Sequence, residues 1–116
     1  MTEKARKYLY DILQAIELTQ SFSKDISDFF EYQKDLKTKS AVERQLGIIG
    51  EAVNQFGKEA SEIDLTNSRQ IIDFRNRLIH AYDNLDDSIV WAILNRHIPL
   101  LQEEVKTLLD DHTLFS

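Results

Sequence analysis

The chain has 116 residues, no cysteine and a formal net charge of −6. Its length is that of one domain spanning residues 1–116, and the lack of cysteine excludes disulfides, thiolate nucleophiles and cysteine-based zinc sites. Because binding to phosphates is largely electrostatic, the acidic charge also opposes general affinity for nucleic acid, so any such role must use a local basic pocket.

The N-terminal residues lead into an amphipathic segment, which is unlike the apolar core of a secretion signal. No stretch approaches the roughly 18 consecutive apolar residues that a membrane span requires. The expectation is a cytoplasmic protein that does not interact with membranes.

Apolar residues recur at three- and four-residue steps along most of the chain, which is the spacing of one helical face. There are only 3 glycines and 1 proline, and no segment alternates as a half-buried strand would. The sequence predicts an all-α, up-and-down bundle with four main helices and a short extra helix. The predicted helices cover residues 3–20, 23–32, 34–60, 68–82 and 86–110.

Three features of the sequence bear on the packing, the ends and the straightness of these helices. The third predicted helix contains all three glycines, and a glycine inside a helix usually lets another backbone come close; these are Gly47, Gly50 and Gly57. Asp86 is a candidate N-cap for the last helix. Pro99 removes one backbone donor from that helix and should bend it.

Chemically versatile side chains are concentrated at the end of the fourth predicted helix, in residues 75–82. Arg75, Asn76, Arg77, His80 and Tyr82 occur there among apolar residues, and charged groups near a core are costly unless they are paired or used. Because each helical residue advances about 100°, Arg75 and His80 project about 140° apart. They can act on one small group only if the helix ends near residue 79, or if two chains each contribute part of the site.

An arginine and a histidine suit the cleavage of RNA without a metal ion. The imidazole can take the proton of a ribose 2′-hydroxyl, which then attacks the adjacent phosphate. The guanidinium can stabilise the anionic transition state. The three histidines lack the spacing of metal ligands, so neither a metal nor a cofactor is predicted.

A purely structural interpretation of the same residues remains open. A histidine near a helix end commonly interacts with the helix dipole. Arg75 could pair with an acid on a neighbouring helix, and Arg77 with Asp73 one turn back on its own helix. Glu43, Glu51 and Glu59 recur every eight residues and could form a solvated face as readily as a site.

The pattern of Arg75-Asn76 followed by His80 and Tyr82 resembles that of the HepT-like ribonuclease toxins of the HEPN superfamily. The segment from Glu43 to Ala52 is similar to the central-helix signature of that family. Ile89-Val90-Trp91 and Pro99-Leu100 are similar to its final helix. Together these similarities cover residues 40–105.

The resemblance implies a HEPN-like helical bundle that forms a homodimer, with a composite site in the cleft between subunits. It implies RNA cleavage without metal, with tRNA or mRNA as substrate, in which Arg75 and His80 are catalytic. Asn76 matches the polar position beside the arginine, and with Arg77 it is expected to bind RNA phosphate or support the site.

The resemblance also implies a partner. HepT-like toxins belong to toxin–antitoxin pairs of a type II-like kind, in which the antitoxin is a minimal nucleotidyltransferase (MNT) that can attach AMP to the tyrosine matching Tyr82. The alternative is a non-catalytic HEPN subunit that binds nucleotide or serves as the stable partner of a nucleotidyltransferase. The acidic charge of the chain favours that protein–protein role.

Overall fold

In a computed structural model, which describes residues 1–80 and 86–111, every regular element is helical. The side chains of residues 79 and 80 are not among those described. The elements are α1 (Glu3–Ser23), α2 (Phe29–Lys34), α3 (Leu36–Glu59), α4 (Ser68–His80), α5 (Asp87–Ala92), a π-helical turn (Ile93–His97) and α6 (Ile98–Asp110). The predicted all-α bundle with four main helices is confirmed.

The core lies where the apolar faces of the long helices meet. α3 is central, because α1 packs along one side of it and α4 along another, while α6 packs against α1. Most of the apolar positions that the periodicity predicts are buried, among them Leu9, Ile12, Ile16, Leu46, Ile49, Val53, Phe56, Ile71, Leu101 and Val105, whereas Leu36 is exposed. No helix in the described part of the chain is both long enough and apolar enough to cross a bilayer.

The short second helix differs from its predicted position at 23–32. α1 continues to Ser23, whose hydroxyl donates to the carbonyl of Thr19 and so serves the helix interior instead of capping a new helix. Asp28 is the N-cap of α2, because its carboxylate accepts the backbone N–H of Glu31 at 2.9 Å. Glu31 in turn accepts the backbone N–H of Ser27, which completes a capping arrangement at this end.

The final predicted helix is interrupted just before Pro99. The backbone N–H of Ile98 bonds to the carbonyl of Ile93, five residues back, which is the π-helical spacing. A proline ring collides with the carbonyl four residues earlier in a regular α-helix. The wider π turn relieves that conflict, so the irregularity expected at Pro99 is a local widening of the helix.

Candidate active site

α4 carries the first part of the segment 75–82, and the start of α4 is bound to the π-helical turn. The carbonyl of Asn67 accepts the N–H of Ile71 at 3.2 Å. The side chain of Asn67 is buried, and its Oδ1 lies 2.7 Å from Nδ1 of His97 in the π-helical turn. His97 therefore has a structural partner, which sequence reasoning had not predicted.

Arg75 lies where α4 packs against α3. Its side chain is only 18% exposed, and its Nη1 donates to Oε2 of Glu51 at 2.7 Å. A charge-assisted bond of this length is among the stronger polar contacts that a protein makes. Pairing with an acid on a neighbouring helix is what the structural interpretation of Arg75 predicted, and it is present.

The two helices approach closely at this point because residue 50 is glycine. A Cβ placed on Gly50 would lie 2.5 Å from Cβ and 3.0 Å from Cγ of Arg75, and 3.1 Å from the carbonyl oxygen of Ile71. The first of these distances is far below van der Waals contact, and the other two are tighter than ordinary contacts. Gly50 thus confirms the expected close approach, Gly47 does so more weakly through Leu78, and Gly57 faces open space.

Asn76 and Arg77 are exposed, and Arg77 lies away from the contact between Arg75 and Glu51. Arg77 borders a groove of about 350 Å³ between α4 and the α5 region, together with Asp73, Ser88 and His97. Both Arg77 and Asp73 are exposed, and the structure records no ion pair between these two described residues. The guanidinium of Arg77 is therefore available to solvent at the rim of the groove.

The backbone of α4 remains helical through His80, one residue beyond the point where the helix would have had to end for Arg75 and His80 to converge within one chain. The side chain of His80, and all of Tyr82, lie outside the described residues. How His80 and Tyr82 are placed relative to Arg75 accordingly stays a prediction.

The start of α5, which follows residues 75–82 in the chain, is bound to α3 by an ion pair. Asp86 caps α5 as predicted. Its carboxylate accepts hydrogen bonds from the hydroxyl and the backbone N–H of Ser88, which lower the pKa of the Asp86 carboxyl. The next residue, Asp87, forms a 2.7 Å ion pair with Lys39 in which both side chains are less than a fifth exposed. Burial, followed by the charge of Asp87, raises the pKa of Glu43.

Among the side chains that the structure describes, no three from His, Asp or Glu are arranged to hold a metal ion. The three recurring glutamates have separate environments instead. Glu51 binds Arg75, Glu59 lies 3.4 Å from Lys4, and Glu43 is half-buried near Asp87. The role of Glu51 was missed at the sequence level, although the adjacent Gly50 was the signal that another helix comes close here.

Comparison with known proteins assigns the chain to a family. The profile of a family described as "Ribonuclease HepT-like" matches residues 12–108. A "Probable ribonuclease HepT" from Thermococcus cleftensis is 37% identical over 93% of this chain and 98% of its own length. "Putative RNase TTE0752" from Caldanaerobacter subterraneus subsp. tengcongensis is 37% identical over 90% and 93%, respectively.

"Putative RNase MJ0127" from Methanocaldococcus jannaschii is 32% identical over 91% of this chain and 88% of its own length. No solved structure gives a significant match to the sequence. The family profile covers most of the chain, and the named relatives align over nearly their whole length, which confirms both the suspected family and the predicted enzyme class. The chain belongs to the HepT-like ribonucleases.

Proposed function

We propose that the protein is the toxin of a HEPN/MNT toxin–antitoxin pair and cleaves tRNA or mRNA without a metal ion. Each active site combines Arg75 of one subunit with His80 of the other across a homodimer. The observation that carries this proposal is the position of Arg75, a largely buried arginine with one edge at the surface, on a helix that continues through His80.

The chemistry follows from the two side chains. His80 removes the proton of a ribose 2′-hydroxyl, whose oxygen forms a bond to the adjacent phosphorus. The bond from phosphorus to the 5′-oxygen breaks, and that oxygen takes up a proton, which leaves a cyclic phosphate and a free 5′-hydroxyl. Arg75 neutralises the charge that grows on the phosphate oxygens. Asn76 and Arg77 are exposed further along the same helix and bind neighbouring parts of the RNA.

A homodimer resolves the angular conflict within a single helix. Side chains five residues apart on α4 diverge by about 140°. Two copies of α4 related by a two-fold axis would place the guanidinium of one opposite the imidazole of the other, and would repeat the arrangement at a second site.

The proposed nuclease is tested directly by incubating the purified protein with RNA in the presence of EDTA. We expect cleavage at an undiminished rate, and products that end in cyclic phosphate, because the attacking oxygen belongs to the RNA itself. Loss of activity in EDTA, with recovery on adding a divalent cation, would contradict the proposed mechanism.

The proposed antitoxin is a nucleotidyltransferase that attaches AMP to Tyr82. The added phosphate would occupy the place at Arg75 that the phosphate of RNA requires and so exclude it. Intact masses of the protein produced with and without the proposed nucleotidyltransferase, which is expected to be encoded beside it, should then differ by whole AMP units that map to Tyr82. Identical masses would contradict this means of neutralisation.

The second candidate function is a non-catalytic subunit of a nucleotidyltransferase complex. The contact of Arg75 with Glu51 favours it, because that ion pair fulfils a structural role without any substrate. Co-purification of the pair, followed by RNase assays of each component, separates the two candidates. A catalytic toxin is active alone and silent in the complex, whereas a non-catalytic subunit is inactive in both.

A further inference from the structure

The carboxylate of Glu51 is held on both of its oxygen atoms. Oε2 accepts the hydrogen bond from Nη1 of Arg75 at 2.7 Å, and Oε1 accepts one from Nε2 of Gln55 at 2.9 Å. Gln55 lies one turn further along α3, so it can orient the carboxylate without depending on α4. The result is a hydrogen-bonded chain from Gln55 through Glu51 to Arg75.

The inner part of the Arg75 side chain is also fixed, by packing against α3. Its Cβ and Cγ pack on the backbone of α3 at Gly50, so the first part of the side chain has little freedom to change rotamer. The Nε atom is buried and has no hydrogen-bond partner among the described residues. The direction of the outer guanidinium is therefore decided chiefly by the contact of Nη1 with Glu51.

We propose that Glu51 is a positioning residue for catalysis: it holds the guanidinium of Arg75 in the orientation that receives the phosphate of RNA. This inference rests on the proposed function, in which Arg75 binds the reacting phosphate. A donor that is already oriented loses little conformational entropy when charge develops in the transition state. Glu51, which is half exposed, also brings a negative charge close to the RNA.

These two effects of Glu51 have opposite signs, which makes the proposal testable. Orientation by Glu51 favours the transition state and raises kcat. Its negative charge repels phosphate in the ground state and weakens binding of RNA. A residue that merely stabilised the fold would change both quantities in the same direction, through the fraction of folded protein.

The decisive variant is Glu51→Gln, which keeps the size of the side chain and removes its charge. We expect kcat for RNA cleavage to fall by about tenfold or more. We expect affinity for a 2′-O-methyl RNA oligonucleotide, which cannot be cleaved, to rise by about threefold at low salt. Fluorescence anisotropy measures the binding, and thermal unfolding checks that the variant remains folded.

Glu59→Gln is the matched control. It removes an equal charge from the same helix and breaks the longer, more exposed ion pair of Glu59 with Lys4, two turns along α3 from Glu51. We expect kcat to be unchanged. In an Arg75→Lys background, Glu51→Gln should cause little further loss of kcat, because Glu51 acts through the guanidinium.

Gln55→Ala gives a second measurement that leaves the ion pair in place. It frees one oxygen of Glu51, and kcat should fall by about twofold to fivefold without a change in unfolding temperature. If Glu51→Gln does not fold, Gln55→Ala alone tests the proposal. No loss of kcat in the folded variants would overturn the proposal.

A rise of both kcat and affinity in Glu51→Gln would overturn it too, because Glu51 would then only mask Arg75. A parallel fall of both would assign Glu51 a purely structural role. These outcomes are separable from failure of the proposed function. If His80→Ala is inactive but Glu51→Gln cleaves normally, the nuclease stands and the positioning role fails, whereas a parent protein that cleaves no RNA refutes the function itself.

Discussion

His80→Ala is expected to lower kcat for RNA cleavage by about a thousandfold while leaving the helical content unchanged. In the proposed mechanism the imidazole is the base that activates the 2′-hydroxyl, and positioned general bases contribute about 10²–10⁴ in rate. Cleavage of a labelled RNA under single-turnover conditions measures the loss. Binding of 2′-O-methyl RNA should change little, because the phosphate contacts come from arginines.

His97→Ala is the control for His80→Ala. It also removes an imidazole, but one whose Nδ1 lies 2.7 Å from Asn67, where it joins the start of α4 to the π-helical turn. We expect it to lower the unfolding temperature and to keep kcat near that of the parent. If His80→Ala cleaves RNA as fast as the parent protein, the assignment of a catalytic base is wrong.

Gly50→Ala is expected to have the largest effect on stability. The added methyl group would lie 2.5 Å from Cβ of Arg75, and the nearby carbonyl oxygen of Ile71 belongs to the backbone and cannot simply rotate away. α4 must shift away from α3, and overpacking of this kind costs about 1–3 kcal/mol or more. The free energy of unfolding measures that cost, and kcat of the folded fraction should fall because Arg75 moves away from Glu51.

Gly57→Ala is the matched substitution on the same helix. A Cβ at this position meets no atom of the described residues within 4 Å, and no described glycine has positive φ. Alanine is favoured over glycine in a helix interior by about 1 kcal/mol, so this variant should be slightly more stable than the parent. Equal stability losses in both variants would contradict the assigned role of Gly50.

The sequence predicts the long helices well because their signal is repeated. Many apolar residues at regular spacing define each buried face, so single exceptions such as the exposed Leu36 do not obscure it. Helix ends depend instead on one or two hydrogen bonds. Ser23 could have capped a new helix, and the competing bond to the Thr19 carbonyl becomes visible only in the folded chain.

In the candidate site too, local patterns are predictable from the sequence, whereas contacts between distant residues are not. The central segment stands out because its residue types are unusual for a partly buried helix, and the family resemblance adds roles for them. The link from Glu51 to Arg75 joins residues 24 positions apart, and no local periodicity encodes such a pair. The structural interpretation of Arg75 predicted an acid on a neighbouring helix without saying which one. Gly50 marked the contact between the helices, and the close approach it permits determines which acid the arginine can reach.

The central claim is that Arg75 and His80 of different subunits act together, and a heterodimer tests it most directly. Arg75→Ala and His80→Ala chains, each with its own affinity tag, can be co-expressed and purified through both tags. Each homodimer should be inactive, whereas the heterodimer retains one intact composite site of two and should recover about half of the parent activity. A heterodimer as inactive as the two homodimers would contradict the claim.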